Sequence, residues 1–285
     1  MLVFAQSPPW RNKLNGNPGE RRGDQRGIVY VAAAPPKTLD GELLKRVASL
    51  AGKEISDTRL LLAGEIPRII ASAPDTDTAN SIAHGLEEVG LVAFVCGDSE
   101  LRNRSASFVA HEARSGEGEV LFRDKRGGEV TVEDGDAFLI IRGRKKNTIQ
   151  EKGSTTKMKL NVAATVLTGG IPVMRPVTKK TTKESFQAED FVRIFDRRSS
   201  YPRVEMLQNH VDYAFLGPEL TPSAPANFNI VVTKLRQWFP LAIFDDRLTR
   251  HHKTDVPVTG PEEGLEINCK LIYLCHLAME RFQNQ

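Results

Sequence analysis

Over the first third of the chain, hydrophobic and polar residues recur with the spacing of either a helix or a strand. Residues 1–27 are rich in Pro, Gly, Asn and Arg, which predicts a mobile basic tail. From Ile28 the pattern predicts a strand, two helices, a strand, a helix and a strand. The predicted strands cover 28–31, 68–72 and 91–96, and the helices start at caps Thr38, Ser56 and either Asp75 or Asp77. Three strands covered on one side by helices make a small α/β sandwich over residues 28–100.

The pattern changes from helical to extended after residue 100. Residues 101–118 are polar and rich in Ser and Gly, which predicts a linker. Short β-rich runs then predict a second domain, 119–250, closed by an amphipathic helix over 228–239. Its predicted strands cover 120–123, 129–133, 137–141, 191–195, 203–207 and 213–216. Residues 251–285 predict a linker and a C-terminal helix whose apolar face, Leu271 to Phe282, docks on a domain.

These elements predict an α+β protein, with a small three-stranded α/β sandwich followed by a mainly antiparallel β domain closed by an amphipathic helix. The length of 285 residues favours two domains, and 40% hydrophobic with 26% charged residues is an ordinary globular composition. No run of about 18 apolar residues occurs and no signal-peptide pattern starts the chain, so the sequence predicts no transmembrane segment and a cytoplasmic protein. Cys96, Cys269 and Cys275 are expected to be free thiols.

The segment from Leu60 to Val95 resembles a bacterial family. It reads Glu-Ile-Pro-Arg-Ile-Ile at 65–70 and Thr-Ala-Asn-Ser-Ile-Ala-His-Gly-Leu-Glu-Glu-Val-Gly-Leu-Val-Ala at 78–93. This is similar to the C-terminal domain of the ribosomal stalk protein and to the related protease-adaptor fold. The stalk family binds translation factors through a Gly-Leu-Gly-Leu-Lys stretch, whereas residues 53–59 here read Lys-Glu-Ile-Ser-Asp-Thr-Arg. The resemblance therefore implies the fold of residues 28–97 and not factor binding.

A second resemblance rests on the order of elements over residues 117–240. A meander of short strands followed by one amphipathic helix is similar to pleckstrin-homology-like domains, including the bacterial ones. No residue motif accompanies this order, so the resemblance implies an architecture and transfers no lipid site.

Positive charge is concentrated in one segment of the second half. The formal net charge is +3, yet residues 142–183 hold eleven basic residues against the single acid Glu151. These basic residues flank an apolar stretch, Leu160 to Met174. The candidate anion-binding residues are Arg142, Arg144, Lys145, Lys146, Lys157, Lys159, Arg175, Lys179, Lys180 and Lys183.

This order of cations, apolar residues and cations has three interpretations. It suits an anionic membrane surface, because basic side chains meet headgroups while the apolar part inserts shallowly. It also suits a phosphate backbone, although no aromatic residue lies between Arg142 and Lys183 to stack on a single strand. The simpler interpretation, which we weigh above both, is a solvated strand edge on which lysines discourage aggregation between sheets.

Catalytic and metal-binding patterns do not stand out in the sequence. It contains no phosphate-binding loop and no Gly-x-Gly-x-x-Gly, His-Glu-x-x-His or Gly-x-Ser-x-Gly motif. Two groups lack the short paired spacing of a zinc site: His251-His252 with Asp255, and Cys269 and Cys275 with His276. Asp245 and Asp246 predict a turn or a cap. We therefore expect no catalytic residue, cofactor or metal.

The sequence predicts a non-catalytic binding or adaptor protein that recognises an anionic partner, such as a membrane surface, through its basic segment. One alternative is a structural or interaction protein that binds other proteins through its N-terminal domain or C-terminal helix. Another is a nucleic-acid-binding protein. Exposed apolar area on the helix from Leu271 to Phe282 would favour the first alternative.

Overall fold

The computed structural model describes residues 27–160, 169, 174–250 and 253–283, and between 146 and 187 it describes the backbone. It confirms the α+β class. The strands are β1 Val29–Ala33, β2 Arg68–Ala73, β3 Ala93–Gly97, β4 Phe108–Ala110, β5 Glu112–Ser115, β6 Glu119–Arg123, β7 Glu129–Glu133, β8 Ala137–Leu160, β9 Met174–Asp196, β10 Val204–Leu207 and β11 Ile243–Leu248. The α-helices are α1 Gly41–Ala51, α2 Ile55–Leu62, α3 Thr76–Glu88, α4 Asp98–Arg102, α5 Ala224–Trp238 and α6 Pro261–Gln283. The predicted tail lies outside the described residues except for Gly27.

The first sheet is antiparallel in the order β2-β1-β3 and has helices on both faces. Because side chains alternate along a strand, Val31 and Ala33 of β1 pack with α1 and α3. Tyr30 and Ala32 point to the other face and pack with α6. The prediction of helices on one side only was wrong, because the second layer comes from the far end of the chain.

Side-chain caps fix where the first helices begin. Asp40 caps α1, since its Oδ1 accepts from the amides of Glu42 at 3.0 Å and Leu43 at 2.8 Å. The predicted cap at Thr38 was wrong. Helix α2 begins at Ile55 without a side-chain cap, so the predicted cap at Ser56 was also wrong. The remaining helix follows the prediction, with Asp75 capping α3.

The segment predicted as a linker, 101–118, contains regular structure. Strand β4 pairs in parallel with β10, and β5 pairs with β6. Helix α4 ends within the segment at Arg102. These strands are three and four residues long, too short to produce a periodic signal in the sequence.

The second half forms two sheets instead of one meander. A five-stranded sheet has the order β11-β8-β9-β10-β4, and a three-stranded sheet has the order β5-β6-β7. Two pairings in the larger sheet, β11 with β8 and β10 with β4, are parallel. The strand predicted over 213–216 was wrong, because Asp212 accepts from the amide of Ala214 and starts a 3-10 helix, Tyr213–Glu219.

The five-stranded sheet is covered on both faces. On β8, Ile140 packs with α5 and with the three-stranded sheet. Its neighbours Leu139 and Ile141 face the opposite side and pack with α6. The β8 and β9 strands are 24 and 23 residues long, so both continue well beyond the sheet.

Helix α6 lies between the first sheet and the five-stranded sheet. One stripe, Ile267, Leu271, Cys275 and Ala278, packs on the first sheet. A second stripe, Cys269, Ile272 and Tyr273, packs on the five-stranded sheet. The prediction that this helix docks on the rest of the protein is confirmed, and the helix starts at Pro261, inside the segment expected to be a linker.

Candidate functional site

The basic segment forms a two-stranded antiparallel ribbon. Strands β8 and β9 pair without a break from Arg144 opposite Asp190 to Leu160 opposite Met174. At about 3.3 Å per residue this ribbon extends roughly 50 Å from the sheet. In the described part of the chain, β11 pairs with β8 only as far as Gly143, and β10 pairs with β9 only as far as Phe191.

The root of the ribbon is built around Gly143. A Cβ atom at this position would overlap the ring of Phe191 and would lie 2.9 Å from the Cβ of Leu248. Both neighbours are buried, so they have little room to move. Only glycine allows β8 to pass this close to the aromatic ring at the point where the ribbon leaves the sheet.

Two candidate anion-binding arginines at the root bind one of the protein's own carboxylates. Asp190 accepts from Arg144 Nε at 2.6 Å and from Arg142 Nη2 at 3.1 Å. Arg142 also donates to Asn229 Oδ1 at 2.6 Å. Burial raises the pKa of Asp190, but the hydrogen bonds from the two arginines outweigh it and the pKa lies below its usual value. Arg142 and Arg144 therefore serve to hold the root together.

Lys145 is the third candidate at the root. Its Nζ lies 3.6 Å from Glu189 Oε2, and only 2% of the Glu189 side chain is exposed. Glu189 also accepts from the amide of Asn209 at 3.0 Å. Three of the ten predicted cations are thus paired internally with two carboxylates, which divides the predicted cluster into a root with paired cations and an outer part.

The outer part of the ribbon carries the other seven candidates. They are Lys146, Lys157, Lys159, Arg175, Lys179, Lys180 and Lys183. Directly opposed residues of an antiparallel pair, and residues two apart on one strand, share a face. Lys146 and Lys180 are therefore on one face, and the other five are on the opposite face.

Four of these five are close neighbours. Lys159 is directly opposite Arg175, and Lys157 is diagonal both to Arg175 and to Lys179. Directly opposed residues are about 5 Å apart, and diagonal neighbours are about 7–8 Å apart. The fifth, Lys183, is opposite the acid Glu151, nearer the root. We call Lys157, Lys159, Arg175 and Lys179 the cationic face.

No carboxylate is available in the adjacent sequence to balance the cationic face. Residues 152–160 and 174–183 contain neither Asp nor Glu. Like charges directly opposite each other destabilise a strand pair, so Lys159 and Arg175 are unfavourable for the ribbon by itself. The apolar stretch predicted between Leu160 and Met174 lies outside the described residues except for Gly169.

The other groups considered from the sequence have structural partners. Asp255 binds Arg68 at 3.1 Å and accepts from the amide of Ile69, while His251 and His252 lie outside the described residues. Cys269 and Cys275 pack on opposite sides of α6, in the two core clusters. Among the described residues, no group of three His, Cys, Asp or Glu could hold a metal ion.

Asp245 belongs to a buried ionic cluster that the sequence did not indicate. The predicted turn is present at Asp246, whose carbonyl oxygen accepts from the amide of Thr249 at 3.0 Å. Asp245 lies in β11, and its carboxylate accepts from His276 at 2.9 Å and from Arg247 Nε at 3.0 Å. Burial raises the pKa of Asp245, but these hydrogen bonds outweigh it and the pKa is strongly lowered. Arg247 also donates to the carbonyl oxygen of Glu65 at 2.8 Å. The cluster thus joins β11, α6 and the N-terminal half.

A second ionic cluster joins α6 to the five-stranded sheet. The buried Arg193 of β9 binds Glu205 of β10 at 2.8 Å and Glu266 of α6. Residues so far apart in sequence cannot be paired from one sequence alone. Both clusters have the protein's own groups as partners and serve to position the helix.

Over the described residues, no helix has the length and apolar character needed to cross a membrane. Comparisons of the chain with family models, curated proteins and solved structures gave no match.

Proposed function

We propose that this chain is a non-catalytic, cytoplasmic binding protein that recognises an anionic partner through the outer part of its ribbon. The observation that carries the proposal is the cationic face, where the register groups four positive residues without a carboxylate in the adjacent sequence. The root cations are excluded from the site because they bind Asp190 and Glu189.

Electrostatics explains why this face would bind an anion. The neighbouring positions are closer together than the Debye length, about 8 Å at physiological ionic strength, so salt screens their repulsion only in part. An anionic ligand converts this repulsion into attraction. Each Lys or Arg near an anionic surface contributes about 1 kcal/mol, so four of them suffice for measurable, salt-sensitive binding.

The alternative of an interaction protein that uses its C-terminal helix has less support. Leu271 and Cys275 are buried between the two sheets, and Phe282, 40% exposed, is at the end of the helix. The helix therefore offers little free apolar area to another protein. A solvated strand edge is the remaining alternative, and it requires no ligand at all.

Binding of the full-length protein to two anionic probes tests the proposal. The probes are phosphatidylserine-containing vesicles and a short DNA duplex, each at low and moderate salt. The variant reverses the cationic face with Lys157→Glu, Lys159→Glu, Arg175→Glu and Lys179→Glu. We expect wild-type protein to bind at least one probe, with weaker binding as salt rises, and the variant to bind at least a hundredfold more weakly.

A matched control carries the same change in net charge elsewhere. Lys37→Glu, Lys45→Glu, Arg46→Glu and Lys125→Glu reverse four exposed cations outside the ribbon. We expect this control to bind within about threefold of wild type, because a change in overall charge acts weakly over distances beyond the Debye length. No binding by the wild type, or equal loss in both variants, would reject the cationic face as the site and favour the solvated edge.

A further inference from the structure

The end of the ribbon has an apolar face opposite the cationic face. Leu160 is directly opposite Met174, and Met158 is directly opposite Pro176. These four residues alternate with Lys157, Lys159 and Arg175 along the two strands, so they share the other face of the ribbon. We call Met158, Leu160, Met174 and Pro176 the apolar face. The register of the two strands therefore makes the end of the ribbon amphipathic, with one cationic and one apolar face.

We propose that the partner is an anionic phospholipid bilayer, on which the end of the ribbon lies flat with its apolar face inward. This inference rests on the proposed function, because the cationic face supplies the attraction to anionic lipid. It adds a second requirement, the burial of the apolar face, which a soluble polyanion would not satisfy.

The dimensions of the ribbon fit this arrangement. An amphipathic element at a bilayer surface buries its apolar face about 5–10 Å into the boundary between headgroups and acyl chains. At that depth the ribbon backbone is at the level of the headgroups. Lysine and arginine have long, flexible stems that let their charged ends reach outward, so the cationic face can contact the phosphate layer.

Nucleic acid fits the same ribbon less well. A two-stranded ribbon can enter the major groove of DNA, but only one of its faces meets the bases. With the cationic face on the DNA, the apolar face would remain in water. Single strands bind by stacking their bases on aromatic rings, and residues 142–183 contain no Phe, Tyr or Trp.

Removal of the apolar face while the charge is kept tests this inference. The variant Met158→Ser, Leu160→Ser and Met174→Ser leaves all basic residues in place. A control variant, Leu60→Ser, Leu220→Ser and Leu241→Ser, removes three apolar side chains that are 77%, 50% and 77% exposed elsewhere. Far-ultraviolet circular dichroism and thermal melting establish that each full-length variant folds.

The measurement is cosedimentation with phosphatidylcholine vesicles, with and without phosphatidylserine, alongside the DNA duplex. We expect wild-type protein to bind only the phosphatidylserine vesicles and the Ser variant to bind them at least tenfold more weakly. The Leu control should bind like wild type. Inorganic phosphate at millimolar concentration should not displace the wild-type protein, because it offers no apolar phase.

Each other outcome overturns a defined part of the account. Wild-type binding to the duplex in preference to vesicles, or full binding by a folded Ser variant, would reject the bilayer and leave the cationic face as an anion site. Displacement by inorganic phosphate would assign the site to a soluble anion. Binding to neither vesicles nor duplex would reject the proposed function together with this inference.

Discussion

At the scale of single residues, the ribbon depends on one position without a side chain. Gly143 lies where β8 leaves the five-stranded sheet, against the buried ring of Phe191 and the Cβ of Leu248. A short β-rich run to Ile141 was predictable from the sequence, but the close approach at Gly143 was not. It depends on Leu248, more than a hundred residues away in sequence.

Gly143→Ala should destabilise the protein because the new methyl group overlaps two groups that cannot move freely. Overpacking of this kind costs about 1–3 kcal/mol in the free energy of unfolding, which urea denaturation measures. The control is Gly135→Ala, where no atom lies within 4 Å of the added Cβ. A Gly143→Ala protein as stable as the control would contradict the packing described at the root.

The three cysteines should be unreactive in the folded protein. Cys96, Cys269 and Cys275 are free and buried, and burial raises the pKa of Cys269 to about 12 and that of Cys275 to about 12. Labelling with a thiol reagent at pH 7.5 should modify none of them within minutes, and all three after unfolding in urea. Rapid modification of a native thiol would show that its surroundings open easily or that it is exposed.

At the scale of elements, the sequence predicted what hydrophobic periodicity can reveal. Helices α1, α3 and α5 were recognised because each has an apolar stripe. The ribbon was missed because most of its length lies away from the core and is rich in Thr and Lys, without a sustained alternation of apolar and polar residues. Such alternation is limited to 157–160 and 174–176 at the end of the ribbon, too short a run to indicate a strand. Strands β8 and β9 pair residue by residue over this whole length, and no local sequence pattern specifies which residues pair.

Helix α6 should contribute strongly to stability through its buried stripes. Leu271→Ala removes a side chain that is 1% exposed and packed on the first sheet, and we expect a loss of about 2–5 kcal/mol. Phe282→Ala removes a larger side chain near the end of the same helix that is 40% exposed, and it should cost less than about 1 kcal/mol. Urea denaturation of both variants compares them, and similar losses would contradict the placement of the helix between the sheets.

At the scale of the whole molecule, α6 and the ionic clusters join the two halves of the chain. The Asp245 cluster connects β11 with α6 and with Glu65 of the N-terminal half. The sequence indicated two domains separated by a linker. It could not indicate that a helix from the end of the chain packs between them, because contacts over such separations leave no trace in local composition.

Stability should depend on the ionisation of Asp245. Because its folded pKa is lowered, the carboxylate stabilises the protein fully above the unfolded value of about 3.9 and loses this effect as pH falls below that value. Asp245→Asn should cost about 3 kcal/mol at pH 7, since it removes the negative charge of the buried carboxylate from its two partly buried partners, Arg247 and His276.

Urea denaturation at several pH values checks this. The difference in unfolding free energy between wild type and Asp245→Asn should shrink as the pH falls below about 4, where the carboxylate of wild type becomes protonated. Asp246→Asn, at an exposed neighbouring position, should show no such pH dependence. A constant difference down to the lowest pH that the fold tolerates would exclude Asp245 as the titrating group.

The central claim is that the outer part of the ribbon contacts an anionic surface. Hydrogen exchange locates that contact most directly. Backbone amide exchange of the full-length protein is followed with and without phosphatidylserine vesicles. Exchange should slow in peptides covering 152–160 and 174–183, and should be unchanged in peptides of α5 and of the three-stranded sheet. Unchanged exchange in the ribbon, with or without slowing elsewhere, would contradict the claim.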